Sequence, residues 1–447
     1  MLLGMLNVLP AGGLAISDLT ATIALDVSQA VAIPEDSAWF APGMIVLVDG
    51  VYEEEEESVG KGLSGSSGVG GTLGGRFQGF FIGQPPCEKR KATLGVSGPD
   101  GGQDHTIGGG FGWIDFLGVG SERAVGSKMR KLEQRLLPRH SAEEVPSRGR
   151  MVILGELNLD QPRTLQALRR ILTIYAAEPE GASPMSFVIT GNFTQHAVLA
   201  RGGSGGSIEY KEYFDALAST LSDFPTLLQT STFIFVPGDN DAWVSSFTAG
   251  AATRYLGKEP QTRVTLFGPN HEVVVFRDDI SARLRRAAVR LKTSKQPQNE
   301  DEENQPPETE DGADDVVMGG NDPVEEEEAM DVDIPRKKPT VKQVNSSVPQ
   351  DVHTARKLVK TVLDQGYLSP FRQSIRPVHW DYATALHLYP LPTSMVLVDT
   401  TAPPFCVTYE GCHVMNPGSI LVPGRTRVGR WIEYEIGKIG KLRETTF

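Results

Sequence analysis

The stretch MVILGELNLDQPRTLQALRRILTIYAAEPEGASPMSFVITGNFTQ, residues 151–195, decides the fold. MVILGEL is an almost unbroken apolar run, the pattern of a strand covered on both faces. PRTLQALRRILTIYAA then spaces its apolar residues as an amphipathic helix does, and Pro162 stands near its start, where a missing N–H costs little. MSFVITGN returns to a strand, IEYKEYFDALASTLSDF to a helix and STFIFVPGDND to a strand. Such alternation predicts a sheet covered by helices. Each strand runs into a polar segment: GELNLD at 155–160, TGNFTQ at 190–195 and PGDNDAW at 237–243. In folds of this kind, ligand-binding groups collect at the carboxyl ends of strands.

Those three segments resemble the ligand motifs of two-metal phosphoesterases, which need D-x-H, G-D-x-x-D and G-N-H-[DE], then a lone His and G-H-x-H. Two hard cations a few ångströms apart must be held by carboxylate and imidazole. Here the first pair reads Glu156 and Asn158, and the second aspartate reads Asn192. An amide cannot bridge two cations as an anion does. Asp239, Asn240 and Asp241 present two carboxylates and an amide, yet Asp and Asn after a strand are also standard turn formers. Where G-H-x-H would follow the late strand VLVD, the chain reads Asp399, Thr400, Thr401 and Ala402. His271 is the best lone-ligand candidate, though a polar turn accounts for it better; His379, His387 and His413 are scattered and form no H-x-H pair. The expectation is a degenerate metal site at Glu156, Asn158, Asn192, Asp239, Asn240, Asp241 and Asp399, with no catalytic residue, metal or cofactor. Its asparagines would instead bond strand-end backbone.

Residues 1–92 read as a small barrel of OB type. The run LAISDLTATIALDVSQA is one strand centred on Ile16, Leu19, Ile23 and Leu25, GMIVLVDGVY a second and RFQGFFIGQPP a third. A Glu-, Gly- and Ser-rich insertion at about 53–75 is expected to be flexible. Residues 93–149 connect, with a charged helix in SERAVGSKMRKLEQRLL that Pro138 stops. Residues 150–447 form the second domain, interrupted at about 296–347 by an acidic stretch that cannot pack. After it come the helix VPQDVHTARKLVKTVLDQG, the strands ALHLYPLP and SMVLVDTT, and a last segment, CHVMNPGSI to VGRWIEYEIGKI, closing the same sheet system. The fold class is therefore mixed, α+β: an OB barrel plus a sheet system flanked by helices.

The 447 residues are 39% hydrophobic, long enough for two or three cores, and hold no apolar run that spans a bilayer. Three cysteines without a C-x-x-C pair fit a reducing compartment and no cysteine-based zinc site. The net charge of −13 is misleading, because sixteen Asp and Glu fall between Gln296 and Pro335; without them the rest carries +3. A near-neutral body gives little electrostatic drive toward nucleic acid. PRKKP at 335–339 reads equally as a nuclear-import signal or a solvated basic spacer.

Taken in order, LTATIALDVSQA, PGMIVLVDGVY, FGWIDFLG, LGELNLDQPRTLQALRRI, FVITGNFTQ, FVPGDNDAW and MNPGSI resemble the B subunits of replicative DNA polymerase epsilon in their fungal form. The resemblance runs from residue 1 to about residue 425. It implies an OB domain joined to an inactivated calcineurin-like phosphoesterase domain, a β-sandwich flanked by helices. It implies a nuclear, non-catalytic scaffold that grips the zinc-bearing C-terminal module of the polymerase catalytic subunit. Other epsilon subunits and the replicative helicase would be reached through the holoenzyme, and DNA weakly or indirectly. Family members carry an N-terminal helical domain for the helicase contact; this sequence starts at the OB strands, so that domain is expected to be missing.

Two rivals belong to other classes. An active metallophosphoesterase would bind manganese tightly and cleave phosphodiesters, and the loss of D-x-H and G-D opposes it. A single-strand nucleic-acid binder would use the aromatics Trp39, Phe40, Tyr52, Phe77, Phe80 and Phe81, but before Cys87 the only basic residues are Lys61 and Arg76. No P-loop or G-x-S-x-G elbow appears, and GGSGGS at 202–207 lacks the strand a phosphate cradle needs.

Overall fold

The computed structural model describes residues 1–53, 71–90, 149–179, 181–196, 205–241, 263–265, 272–292, 349–378, 383, 385–425 and 427–447. Most of the Gly-Ser insertion, the connecting helix, FGWIDFLG, PRKKP, His271, His379 and the whole of the acidic insertion lie outside the described residues; residues 53 and 71–75, expected within the flexible insertion, belong to strands.

The N-terminal part is a sheet of β1 (Leu2–Val8), β2 (Leu14–Ser17), β3 (Ala21–Asp26), β4 (Val31–Ala32), β5 (Ile45–Glu53) and β6 (Gly71–Gly83). Its order is β3-β2-β1-β5-β6-β4, and a further β3–β6 pairing closes it into a barrel. Leu6, Val46, Val48, Phe77 and Ile82 fill the inside. Two details differ from the sequence reading. MLLGMLNV is a strand as well, and LAISDLTATIALD is two strands, not one. Asp18 breaks the run: its Oδ1 accepts hydrogen bonds from the Thr20 and Ala21 N–H groups at 2.7 and 2.9 Å. Leu19 is thereby placed on the turn, 91% exposed, instead of in the core.

The remainder is built on two five-stranded sheets. One has the order β16-β15-β7-β8-β9 and contains β7 (Arg150–Glu156), β8 (Ser186–Thr190), β9 (Thr232–Val236), β15 (Val428–Glu435) and β16 (Lys441–Thr446). The other has the order β10-β11-β12-β14-β13 and contains β10 (Arg263–Thr265), β11 (Glu272–Arg277), β12 (Ser394–Val398), β13 (Phe405–Tyr409) and β14 (Cys412–Asn416). Met151, Ile153, Val188 and Tyr434 from the first sheet pack on Val273, Val275, Val396 and Met415 from the second. Side chains of β7 alternate between this inner layer and an outer one, which is why its sequence is apolar throughout. The segment from Cys412 onward does not close a single sheet: β14 joins one and β15–β16 the other.

Helices cover the outer faces. α1 (Pro162–Ala176) lays Ala167, Leu168, Ile171, Leu172 and Tyr175 against Val152, Leu154, Phe187 and Trp431. α2 (Gly205–Ser222) and α3 (Pro225–Thr230) add Leu217, Leu221 and Leu227 to this core. Each fully buried leucine of this kind stabilises by about 1.5–3 kcal/mol. α4 (Ile280–Ala287) follows β11, and α5 (Gln350–Gln365) ends at Gly366, whose φ of 60° is the left-handed stop that glycine takes without strain. ALHLYPLP does not form a strand; it contributes one isolated bridge, His387 to Tyr367. Among the described residues no helix is long and apolar enough to cross a membrane.

Barrel and sandwich share one core, in which Leu6, Val46 and Phe40 meet Leu358, Val362, Phe276 and Met395. Helix α5 is the splint. The Thr361 hydroxyl accepts the Trp39 N–H at 2.9 Å, and the Gln365 amide both accepts the Ile45 N–H and donates to the Ile45 carbonyl, each at 2.9 Å.

Candidate functional site

The polar segments after β7, β8 and β9 come together at one end of the sandwich, as their strand-end positions predict. Glycines make the approach possible. A Cβ on Gly155 would lie 1.7 Å from the Gly418 carbonyl oxygen, and one on Gly191 would lie 2.1 Å from Asp241 Oδ2. No other residue fits at either place.

Asn192 Nδ2 donates to Glu156 Oε1 at 3.1 Å, while its Oδ1 accepts the Asn240 N–H at 3.0 Å. Asn240 Nδ2 donates to the carbonyls of Gln195 and Thr194 at 2.8 and 3.2 Å. Asp241 accepts the Phe193 N–H on Oδ1 at 2.9 Å and the Gly238 N–H on Oδ2 at 2.7 Å. Both asparagines and Asp241 thus tie strand-end loops to one another. Burial pushes the Asp241 carboxyl up to about 7, against the pull of those two N–H groups, Arg277 and Tyr210.

The cations facing these carboxylates are arginines. Arg277, at the end of β11, reaches Glu156 Oε2 at 2.8 Å and Asp279 Oδ2 at 3.2 Å. Its guanidinium is buried, which would lower its affinity for a proton, but Glu156, Asp279 and Asp239 outweigh burial and raise it. Arg376 reaches Asp239 Oδ1 at 2.6 Å and Asp278 Oδ1 at 3.2 Å. Arg283 stands 3.2 Å from the same Asp278 oxygen and 3.6 Å from Asp239 Oδ2. Burial pushes Asp278 up to about 6, and Asp239 adds to this, while Arg376 and Arg283 oppose it.

Of the residues picked out in sequence, Glu156, Asn192, Asp239, Asn240 and Asp241 are assembled here. Asn158 lies apart from the ladder: its backbone carbonyl accepts the Gln161 N–H at 3.2 Å, and its Oδ1 is buried without a hydrogen bond among the described residues. Asp399 has a different task. It accepts the Ser281 N–H at 2.7 Å on Oδ2 and the Thr401 N–H at 2.8 Å on Oδ1, anchoring the first turn of α4 to the end of β12. Sequence reading missed Arg277, Asp278, Asp279, Arg283 and Arg376. Nothing short-range marks them, since Arg277 lies 121 residues from Glu156 and Arg376 lies 137 from Asp239.

A two-metal centre requires anionic and imidazole donors able to turn toward the cations. Glu156 and Asp239 are spent on guanidinium and amide partners. Among the described residues no group of three or more His, Cys, Asp or Glu side chains is arranged to hold a metal ion. The residues present therefore do not fit such a centre. His413 packs on Tyr434; its Nε2 accepts the Gly440 N–H at 2.9 Å, so the neutral ring offers its own proton from Nδ1 to the Thr408 hydroxyl. Burial lowers the proton affinity of both His413 and His387.

The barrel presents a second kind of surface. Leu3 and Met5 of β1 lie opposite Leu47 and Ile45 of β5, and Phe81 of β6 lies opposite Asp49. Directly paired residues point to the same side of a sheet, so these side chains form one outward face. Leu3 is 58% exposed and Phe81 46%. Arg76 on this barrel is engaged by Glu53 at 2.8 Å and Asp26 at 3.6 Å. Phe40 and Phe77 are core residues, and Trp39 lies under the Lys357 ammonium.

Comparison with known proteins identifies the family to which both parts of the chain are similar. The sequence profile of the B-subunit family of DNA polymerases alpha and epsilon matches residues 151–407. The profile of the DNA polymerase epsilon subunit 2-like OB-fold domain matches residues 1–86. The DNA polymerase epsilon B subunit of Saccharomyces cerevisiae is 33% identical over 459 residues, covering 97% of this chain and 57% of that protein. Its counterpart in Schizosaccharomyces pombe is 31% identical over 436 residues, covering 94% and 58%. DNA polymerase epsilon subunit 2 of Mus musculus is 24% identical over 430 residues, covering 93% and 60%. The chain thus spans less than two thirds of the length of these relatives.

Proposed function

Because the chain belongs to the B-subunit family of DNA polymerases alpha and epsilon, we propose that it serves as a non-catalytic scaffold in a nuclear DNA polymerase epsilon complex. The sandwich is in this reading a calcineurin-like phosphoesterase domain that has lost its chemistry. The observation that carries the reading is Glu156 committed to Asn192 and Arg277. A carboxylate with one oxygen on a guanidinium at 2.8 Å and the other on an amide at 3.1 Å already has its charge compensated, so a cation would have to displace Arg277 to be held there.

Its working surface is then a docking face. The outward row of Leu3, Met5, Ile45 and Phe81 supports this, since contiguous exposed apolar side chains mark interaction sites. We place there part of the contact with the zinc-bearing C-terminal module of the polymerase catalytic subunit. Other epsilon subunits and the replicative helicase follow through the assembled complex. Direct DNA contact is minor, because the barrel's described arginine is already paired with carboxylates.

The test is a pull-down of this chain with that zinc-bearing module. A one-to-one complex that survives high salt supports the scaffold role. Two folded proteins that do not associate would sink it.

A further inference from the structure

We infer that the Arg277 guanidinium is a built-in cation, which does for these strand ends what a bound metal ion does in the phosphoesterases and closes the site to one. The inference deepens the inactive-phosphoesterase reading, and it concerns what holds the site together once the chemistry is gone.

Glu156 and Asp279 belong to different sheets, one at the end of β7 and the other just after β11. A single guanidinium bridges them, Nη2 to Glu156 and Nη1 to Asp279. A cation that bridges carboxylates across two strand ends is the arrangement a metal ion gives, with the difference that this one is covalently part of the chain. The fork of a guanidinium suits two planar carboxylates, whereas an ammonium is a point charge. Arg376 repeats the motif beside it, joining Asp239 to Asp278. Glu156 and the Arg277 side chain are buried, while the Asp279 side chain stays 32% exposed. With Arg277 in place, a dication entering between Glu156 and Asp279 meets a fixed positive charge instead of a negative pocket.

Removing the arginine should therefore leave an anionic gap, buried on the Glu156 side and part-exposed on the Asp279 side, that a dication can partly fill. The experiment compares melting of the wild-type chain and Arg277→Ala in EDTA and in millimolar manganese. Wild type is expected to melt at the same temperature in both. Arg277→Ala is expected to melt roughly 10 °C lower in EDTA, since it leaves the buried Glu156 carboxylate uncompensated. Manganese should recover part of that loss and raise the variant more than it raises wild type. Manganese stabilisation of wild type that Glu156→Gln abolishes would overturn the inference. So would a variant as stable as wild type, or a destabilised variant that manganese does not recover. If Arg277→Ala fails to fold, calorimetric titration of wild type with manganese decides. Absence of micromolar binding supports a closed site, and micromolar binding lost in Glu156→Gln refutes it. These readouts concern the isolated chain, so they can fail while the polymerase association holds, and the reverse.

Discussion

The strand-end cluster of the sandwich and the outer face of the barrel are opposites in how they treat their side chains. At the cluster, polar groups that elsewhere would do chemistry are consumed internally: Glu156, Asn192, Asp239 and Asp241 all find partners within the chain. On the barrel, apolar groups that elsewhere would be buried are left outside: Leu3, Met5, Ile45 and Phe81. On the proposed scaffold reading, the most elaborate polar arrangement is not the working surface. Polar groups paired within the chain hold the strand ends together, and exposed apolar area is left for contacts.

That contrast is broken most violently at its closest approach. Gly155→Ala would put a methyl carbon 1.7 Å from the Gly418 carbonyl oxygen, so β7 or the Pro417–Gly418 loop must move. A loss of more than about 4 kcal/mol is expected, read as failure to recover soluble, cooperatively melting protein. Arg376→Ala comes next. It strips one of two cations from the fully buried Asp278, and a loss of about 3 kcal/mol by urea denaturation is expected. Little change would mean that Arg283 alone satisfies Asp278.

A smaller effect follows from protonation. Asp241 and Asp278 are held at about 7 and about 6, above the ordinary carboxyl value, so between that value and these the folded chain binds more protons than the unfolded one. Stability should therefore fall as pH rises from about 4 to 7, by at most about 1.4 kcal/mol per pH unit for each group. Asp278→Asn should flatten the lower part of that window, and an unchanged slope would show that other groups set it. The barrel face should respond least in stability and most in association. Leu3→Asp with Phe81→Lys, which sets a lysine opposite Asp49, is expected to change unfolding free energy by no more than about 1 kcal/mol. The same pair should weaken the pull-down at least about tenfold, the penalty of setting charges in an apolar contact. Equal binding by the double variant would move the docking surface elsewhere.

Short-range pattern made the framework legible. Strand–helix alternation after Met151 put β7, β8 and β9 next to polar strand ends, and those ends do meet. Glu156, Asn192 and Asn240 were findable because each stands at the end of an apolar strand or in the turn that follows it. Asn158 and Asp399 share that position but turn to other uses, since a strand-end side chain can equally tie down a loop or start a helix. The arginines were illegible for a different reason. Arg277 ends an apolar strand and Arg376 lies in a loop far along the chain, and only the packing of two sheets brings them onto Glu156 and Asp239. The Asp18 turn was missed because apolar alternation continues across it, whereas the aspartate's bonds to Thr20 and Ala21 end the strand.

The position of β15 in its sheet bears on how the chain is made. β15, residues 428–435, is the antiparallel neighbour of β7, residues 150–156, and Trp431 donates to the buried Tyr175 hydroxyl at 2.7 Å. While a ribosome is still translating the middle of the chain, β7 can recruit β8 and β9 but has an open edge on its other side. Closure waits until β15 has been translated, long after β7, a long-range step of the kind that folds slowly and invites aggregation. Chaperone dependence during synthesis, followed as protease sensitivity of nascent chains stalled before and after residue 435, should switch when β15 emerges.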